Sequence, residues 1–145
     1  YADGTYTCWF SLSNVDADFG SMDTLRVNAT GGDNDSSYIN DECSINIRVA
    51  DGNESTTWLT DQIELFDELD SAPVTVDLAM AGLTGSKSQW DTAHVRVNWV
   101  YNRVQSSDSM DFYLNAFQLT GTYTEAGSGP TMPIVMHHRK QMAGN

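Results

Sequence analysis

Five separate stretches of this chain alternate apolar and polar residues with period two, a pattern that only half-buried β-strands explain. Residues 5–13 place Tyr6, Cys8, Phe10 and Leu12 on one parity and Thr5, Thr7, Trp9, Ser11 and Ser13 on the other. Residues 24–29 set Leu25, Val27 and Ala29 against Thr24, Arg26 and Asn28. Residues 43–50 set Cys43, Ile45, Ile47 and Val49 against Ser44, Asn46 and Arg48. Residues 74–80 line up Val74, Val76, Leu78 and Met80. Residues 94–102 line up Val95, Val97, Trp99 and Tyr101, with His94, Arg96, Asn98 and Val100 behind them.

Residues 112–123 break the pattern instructively. Phe112 and Leu114 share one parity, Phe117 and Leu119 the other. Either both faces are covered, or a bulge near Asn115 and Ala116 exchanges the faces. Polar clusters at 31–42 and 85–89 read as loops, and the Ser/Asp-rich run 105–111 reads as the turn of a hairpin between two long late strands. The stretch 58–69 is ambiguous. Leu59, Ile63, Phe66 and Leu69 share a helical face with Thr60 as N-cap, which predicts a short helix; a strand over 57–65 is the competitor. Seven or eight short strands predict an all-β fold, a single antiparallel β-sandwich over residues 1–125, with the late hairpin favouring a jelly roll over an immunoglobulin-like topology.

The 145 residues carry 20 Asp and Glu against seven Lys and Arg, a formal charge of −13. Such a body is repelled by nucleic acid and by anionic membrane surfaces, so neither is expected as a partner. Fifteen of the acids are Asp, a turn-forming residue, and the bias also suits a saline setting. No apolar run is long enough to insert into a membrane. The chain opens at Tyr1 rather than Met, as a processed chain or a piece of a longer one would.

The charge is unevenly spread. Residues 1–136 hold all 20 acids and five basic residues, whereas 137–145 hold Arg139 and Lys140 and no acid. Pro130 and Pro133 fix an extended path into this segment. Residues 126–145 are therefore expected to form an extended C-terminal arm. Ile134, Val135 and Met136 would insert into a neighbouring subunit or pair with its sheet edge, and His137, His138, Arg139 and Lys140 would meet its acidic surface. The alternative is an arm folded back on its own domain.

Three further constellations are candidates. Asp16, Asp18 and Asp23, with Asp33 and Asp35 in the next loop, could supply oxygen ligands to calcium; none fits the EF-hand spacing, and solvated turn acids are the plainer account. No other cofactor is expected. Cys8 and Cys43 could form an inter-strand disulfide, closing a loop of about 36 residues and contributing roughly 3–4 kcal/mol; two reduced thiols are the alternative. His94, Arg96, Asn98 and Asn102 line one side of a long strand. With an aromatic such as Trp9, Trp58 or Trp90 nearby, that side could stack on a sugar ring and hydrogen-bond its hydroxyls.

Nothing points to catalysis. Glu64 and Glu68 have the even spacing of a glycosidase carboxylate pair, but the acid that such a motif needs between them is Phe66. No nucleophile elbow, phosphate-binding loop, dinucleotide fingerprint or zinc-ligand spacing occurs.

The segment WDTAHVRVNWVYNRVQSSDSMDFYLNAFQLTGTYTEAG resembles β-rich, jelly-roll structural proteins of tailed-phage virions, in its long hairpin and its LTGTYTE ending followed by a tail arm. The resemblance implies a non-enzymatic capsid-decorating or tail-associated subunit, homo-oligomeric and docked by its arm on protein subunits of the same assembly, in a virion. A carbohydrate-binding or adhesive module, calcium-assisted, and an extracellular filament subunit are the alternatives.

Overall fold

The computed structural model describes residues 3–33, 43–67, 69–70, 73–102 and 112–127, and the backbone of 136–141. Eight strands and one short helix follow the chain as β1 (Gly4–Ser11), β2 (Phe19–Asp33), β3 (Ser44–Ala50), β4 (Ile63–Asp67), β5 (Val74–Ala79), α1 (Lys87–Asp91), β6 (His94–Tyr101), β7 (Phe112–Glu125) and β8 (Met136–Gln141). They form two four-stranded antiparallel sheets in the orders β1-β6-β3-β4 and β5-β2-β7-β8. The expected β-sandwich is therefore what the alternation builds.

The register explains why the apolar parities meet. Phe10 lies opposite Val95, and Val95 opposite Val49. Cys8, Val97, Ile47 and Ile63 form the next row, and Tyr6, Trp99, Ile45 and Phe66 the one after. Ile45, Ile47, Val49, Val95 and Val97 are fully buried against Leu25, Val27, Ala29, Phe117 and Leu119 of the second sheet. Truncating a central residue such as Ile47 to Ala removes about 2–5 kcal/mol. Coverage thins at the sheet edge: on β1, Phe10 is half-buried but Tyr6 keeps 40% of its surface exposed.

The parity exchange in the late strand is a bulge. Thr30 pairs with Ala116 and Gly31 with Leu114, so Asn115 has no partner and is exposed. Phe112 and Leu114 before it and Phe117 and Leu119 after it all reach the core. Gly31 is the residue that permits this approach, since a Cβ there would lie 2.1 Å from the Tyr113 carbonyl oxygen.

Three sequence expectations need correction. The helix predicted within 58–69 is instead an isolated bridge from Trp58 to Ala50 followed by strand β4. The free edge of β3 takes Ile63, Glu64, Phe66 and Asp67 as ladder partners, and this pairing outweighs local amphipathicity. The helix that does form is α1, which starts within the expected 85–89 loop and runs on to Asp91. There the Ser86 N–H donates to Gln89 Oε1 at 2.9 Å, and Trp90 is buried with its indole N–H donating to the Thr84 carbonyl at 2.9 Å.

The late hairpin, on which the jelly-roll preference rested, does not form. β6 pairs with β1 and β3 in one sheet and β7 with β2 and β8 in the other, so the connection crosses between sheets. The long partner each strand needs is already supplied by β1 and β2.

The C-terminal arm also departs from expectation. Met136–Gln141 is an edge strand, β8, antiparallel to β7 of its own chain, with Met136 opposite Gly121 and Gln141 opposite Ala116. The edge of β7 offers free backbone groups, and β8 satisfies them. Within this run His137, His138, Arg139 and Lys140 pair with Thr120, Leu119, Gln118 and Phe117. Ile134 and Val135 lie outside the described residues.

Candidate functional site on the outer face of the first sheet

The polar parities of β1, β6, β3 and β4 make a second, outward lattice. Its rows follow from the same register: Ser11–His94–Ala50, then Trp9–Arg96–Arg48, then Thr7–Asn98–Asn46–Glu64. The bridge at Ala50 brings Trp58 alongside this lattice. The Arg48 and Arg96 guanidinium carbons each lie 4.4 Å from the centroid of the Trp58 ring. Trp9 is nearly parallel to Trp58, with an interplanar angle of 8° and centroids 6.2 Å apart. Both indoles and both arginines are half-buried.

The arginines are held from below and from the side. Arg48 Nε donates to the Thr60 carbonyl at 2.9 Å, and Arg96 Nη2 donates to Gln62 Oε1 at 2.6 Å. Thr60 is itself anchored, its Oγ1 accepting the Val49 N–H at 3.1 Å. Two cations directly opposed on neighbouring strands repel each other. Burial, and then the charge of Arg48, lower the Arg96 pKa from its usual value, though a guanidinium stays charged. The Trp58 ring offsets part of this, since a cation on an aromatic face is worth roughly 0.5–2 kcal/mol.

No carboxylate among the described residues lies within ion-pair distance of either arginine. The two ion pairs there are Arg26–Asp77 at 2.9 Å and Lys87–Asp91 at 2.6 Å, both elsewhere. Arg96 Nε is buried and has no hydrogen-bond partner. In a chain with a net charge of −13, this face is a local reversal of sign.

Below the arginine row, Thr7 donates to Asn98 Oδ1 at 2.9 Å and Asn46 donates to Ser44 Oγ at 2.7 Å. Above it, His94 Nδ1 donates to the Thr92 carbonyl at 2.8 Å, which fixes the tautomer and leaves Nε2 as the second nitrogen. The arrangement combines aromatic faces, fixed guanidinium forks and side-chain amides, the equipment for binding a ring that carries hydroxyls or a charge.

Of the sequence candidates, the fold brings Trp9, His94, Arg96 and Asn98 together and Trp58 with them. Asn102 stands past the end of β6, roughly 20 Å along the strand direction from Arg96, and Trp90 is in the core. Arg48 was missed as a partner. Its parity was legible, but its pairing with Arg96 needs the β3–β6 register, which alternation alone does not supply.

The other candidate sites disperse. Asp16 accepts the Tyr123 hydroxyl at 2.8 Å, Asp23 accepts the Thr124 hydroxyl at 2.8 Å, and Asp18 is exposed in the turn. Asp33 is fully buried at the end of β2, and Asp35 lies outside the described residues. Among the described residues no three His, Cys, Asp or Glu side chains cluster as a metal site. Cys8 is exposed and Cys43 is buried, and no disulfide joins them. Cys8 lies opposite Val97 and Cys43 precedes Ser44, which lies opposite Val100, so the two are on opposite sides of β6, roughly 10 Å apart across it and a further ~10 Å or more along it, beyond the reach of a disulfide of about 7 Å. The single register shift in the β3–β4 ladder separates Glu64 from Phe66: Glu64 is outward and Phe66 is in the core, so the even-spacing pattern does not hold on this strand. Glu68 lies outside the described residues. Among the described residues no helix is long and apolar enough to cross a membrane. Compared as a whole, the chain matches no protein family, no curated protein and no solved structure.

Proposed function

We propose that this chain is a non-enzymatic, adhesive β-sandwich module that binds carbohydrate on the outer face of its first sheet. One observation carries the proposal: the parallel Trp9 and Trp58 rings stand in the same surface lattice as Arg48, Arg96, Asn46 and Asn98. Sugars expose apolar C–H faces that stack on indoles, and hydroxyls that suit amide and guanidinium partners. The test is a glycan array followed by calorimetry on wild type, Trp9→Ala and Trp58→Ala. Binding of at least one glycan that either substitution weakens supports the proposal; silence on every glycan removes it. A chelator arm in the same assay reports any contribution from calcium.

A second reading, a structural subunit of a virion or filament, is favoured by β8. It follows residues 126–135 and adds a strand to the edge of β7. The same edge can take the strand of a neighbouring copy, which would link subunits in a homo-oligomer. Deletion of residues 130–145 is the test. If assembly is unchanged without them, this mechanism is wrong.

A further inference from the structure

If the outer face takes saccharides, as proposed above, its charge says which ones. We infer that the preferred ligand is an anionic saccharide, whose carboxylate or sulfate sits between Arg48 and Arg96 while its ring lies against the tryptophans.

The first support is the unbalanced pair itself. Arg48 and Arg96 are directly opposed in the β3–β6 ladder and have no acidic neighbour within ion-pair distance among the described residues. A chain so rich in Asp had acids available to place beside them, as it did for Arg26 with Asp77.

The second is the supply of donors. A guanidinium carries five N–H groups in a planar fork. The protein uses Arg48 Nε on Thr60 and Arg96 Nη2 on Gln62, and the remaining Nη donors of the two forks make no hydrogen bond among the described residues. Arg96 Nε is buried and without a partner, so this guanidinium is under-satisfied by its own protein. Carboxylate and sulfate oxygens match such forks two at a time.

The third is preorganisation. Both guanidinium groups rest 4.4 Å from the Trp58 centroid, and their Nε or Nη2 tethers fix the remaining rotation. The entropy of ordering two long side chains is therefore largely spent before the ligand arrives.

The body of the protein sets a further signature. A net charge of −13 repels an approaching anion at long range, whereas the contact with the arginines is short-range. Moderate salt shortens the Debye length to about 10 Å and screens the repulsion first. The association rate should therefore rise with ionic strength between about 10 and 100 mM salt, opposite to a steered encounter.

The experiment uses the full chain and three probes of equal length: a galacturonic acid oligosaccharide, a sulfated galactan oligosaccharide and a neutral galactose oligosaccharide. Calorimetry is run on wild type, Arg48→Gln, Arg96→Gln, Arg48→Lys and the remote control Arg26→Gln. At least one anionic probe should bind roughly ten- to a hundredfold tighter than the neutral one, and Arg48→Gln or Arg96→Gln should remove that advantage. Arg48→Lys should restore part of it, and Arg26→Gln should leave it intact. The two anionic arms tell carboxylate from sulfate recognition.

Equal binding of neutral and anionic probes, unmoved by Arg48→Gln and Arg96→Gln, overturns the anionic inference and leaves the saccharide face standing. Binding of free acetate or inorganic sulfate as tightly as the oligosaccharides overturns it too, because the sugar then contributes nothing. Wild-type self-association lost in both Gln variants, with no anionic-probe preference, overturns it in favour of a protein partner. Failure of every saccharide overturns both proposals together. Should a variant misfold by circular dichroism, the wild-type comparison of charged and neutral probes decides alone.

Discussion

Tyr123 donates its phenolic proton to Asp16 Oδ2 at 2.8 Å and so ties the end of β7 to the turn after β1. The ring packs against Phe19 with centroids 5.4 Å apart. The bond to Asp16, burial, and the charges of Asp16, Glu125 and Asp18 push the phenol up from 10.0 to about 12. In this window the folded chain holds a proton that the unfolded chain releases. Stability is therefore complete below about pH 10 and is lost as the pH rises towards 12. Urea midpoints measured from pH 8 to 11.5 should fall above pH 10, and less steeply in Tyr123→Phe. Identical slopes in the two proteins would count against the assignment.

Gly31 is fixed by sterics rather than by backbone conformation. Its missing Cβ would sit 2.1 Å from the Tyr113 carbonyl oxygen and 3.0 Å from the Phe66 ring. Gly31→Ala should cost about 3 kcal/mol or more, because a backbone atom cannot step aside as a side chain can. Gly52→Ala, whose Cβ would meet only Ser55 at 3.8 Å, should be near neutral. Chemical denaturation of the two variants side by side gives the answer.

The unpaired Asn115 separates two halves of β7 that both reach the core. Deleting it would join the ladder into regular alternation, with Gly31 still opposite Leu114, Thr30 still opposite Ala116, and Phe112, Leu114, Phe117 and Leu119 all still inward. Deleting Gln118 instead, which is paired with Asn28, would slip Leu119 to the outer face and should cost about 2–5 kcal/mol or more. The Asn115 deletion variant should therefore fold by circular dichroism, whereas the Gln118 deletion variant should be strongly destabilised. An unfolded Asn115 deletion variant would show that the bulge itself is required.

The two thiols should separate kinetically. Cys8 is exposed and Cys43 is buried, so a thiol reagent added to native protein should label one site at once and the second only as the chain opens. Mass spectrometry of the labelled peptides identifies each. Reductant should leave the melting temperature where it is; a fall of several degrees would reveal a bridge.

Much of the sandwich was legible because burial on one face imposes period two. Ile45, Ile47 and Val49, or Val95 and Val97, announce their faces without any partner being known. The bulge was legible for the same reason, as a change of phase between Leu114 and Phe117. What stayed hidden was pairing. Nothing in residues 58–69 says that β3 has a vacant edge, so Leu59, Ile63 and Phe66 read as a helical stripe although Leu59 and Phe66 are buried from a loop and a strand. The ligand face shows the same divide. Trp9 and Arg96 have visible outward parity, but the meeting of Arg48, Arg96 and Trp58 depends on three segments brought together by register and by the bridge at Ala50. The short helix was hidden in a polar run whose only helical cue, Ser86 with Gln89, is a cap rather than a stripe.

The strand order carries a consequence for how the molecule is made. Among the described strands only β3–β4 and β7–β8 join neighbours in sequence; Gly4 waits for Tyr101, and Phe19 waits for Glu125. As the chain leaves a ribosome, the first two strands emerge with no mate, and the missing ladders are synthesised on the order of seconds later. Neither layer can close until the last third is out, and closure across such sequence distances is itself slow. The nascent N-terminal half is then a set of bare apolar ribbons, and its yield in a cell should depend on holding chaperones more than on the stability of the finished domain.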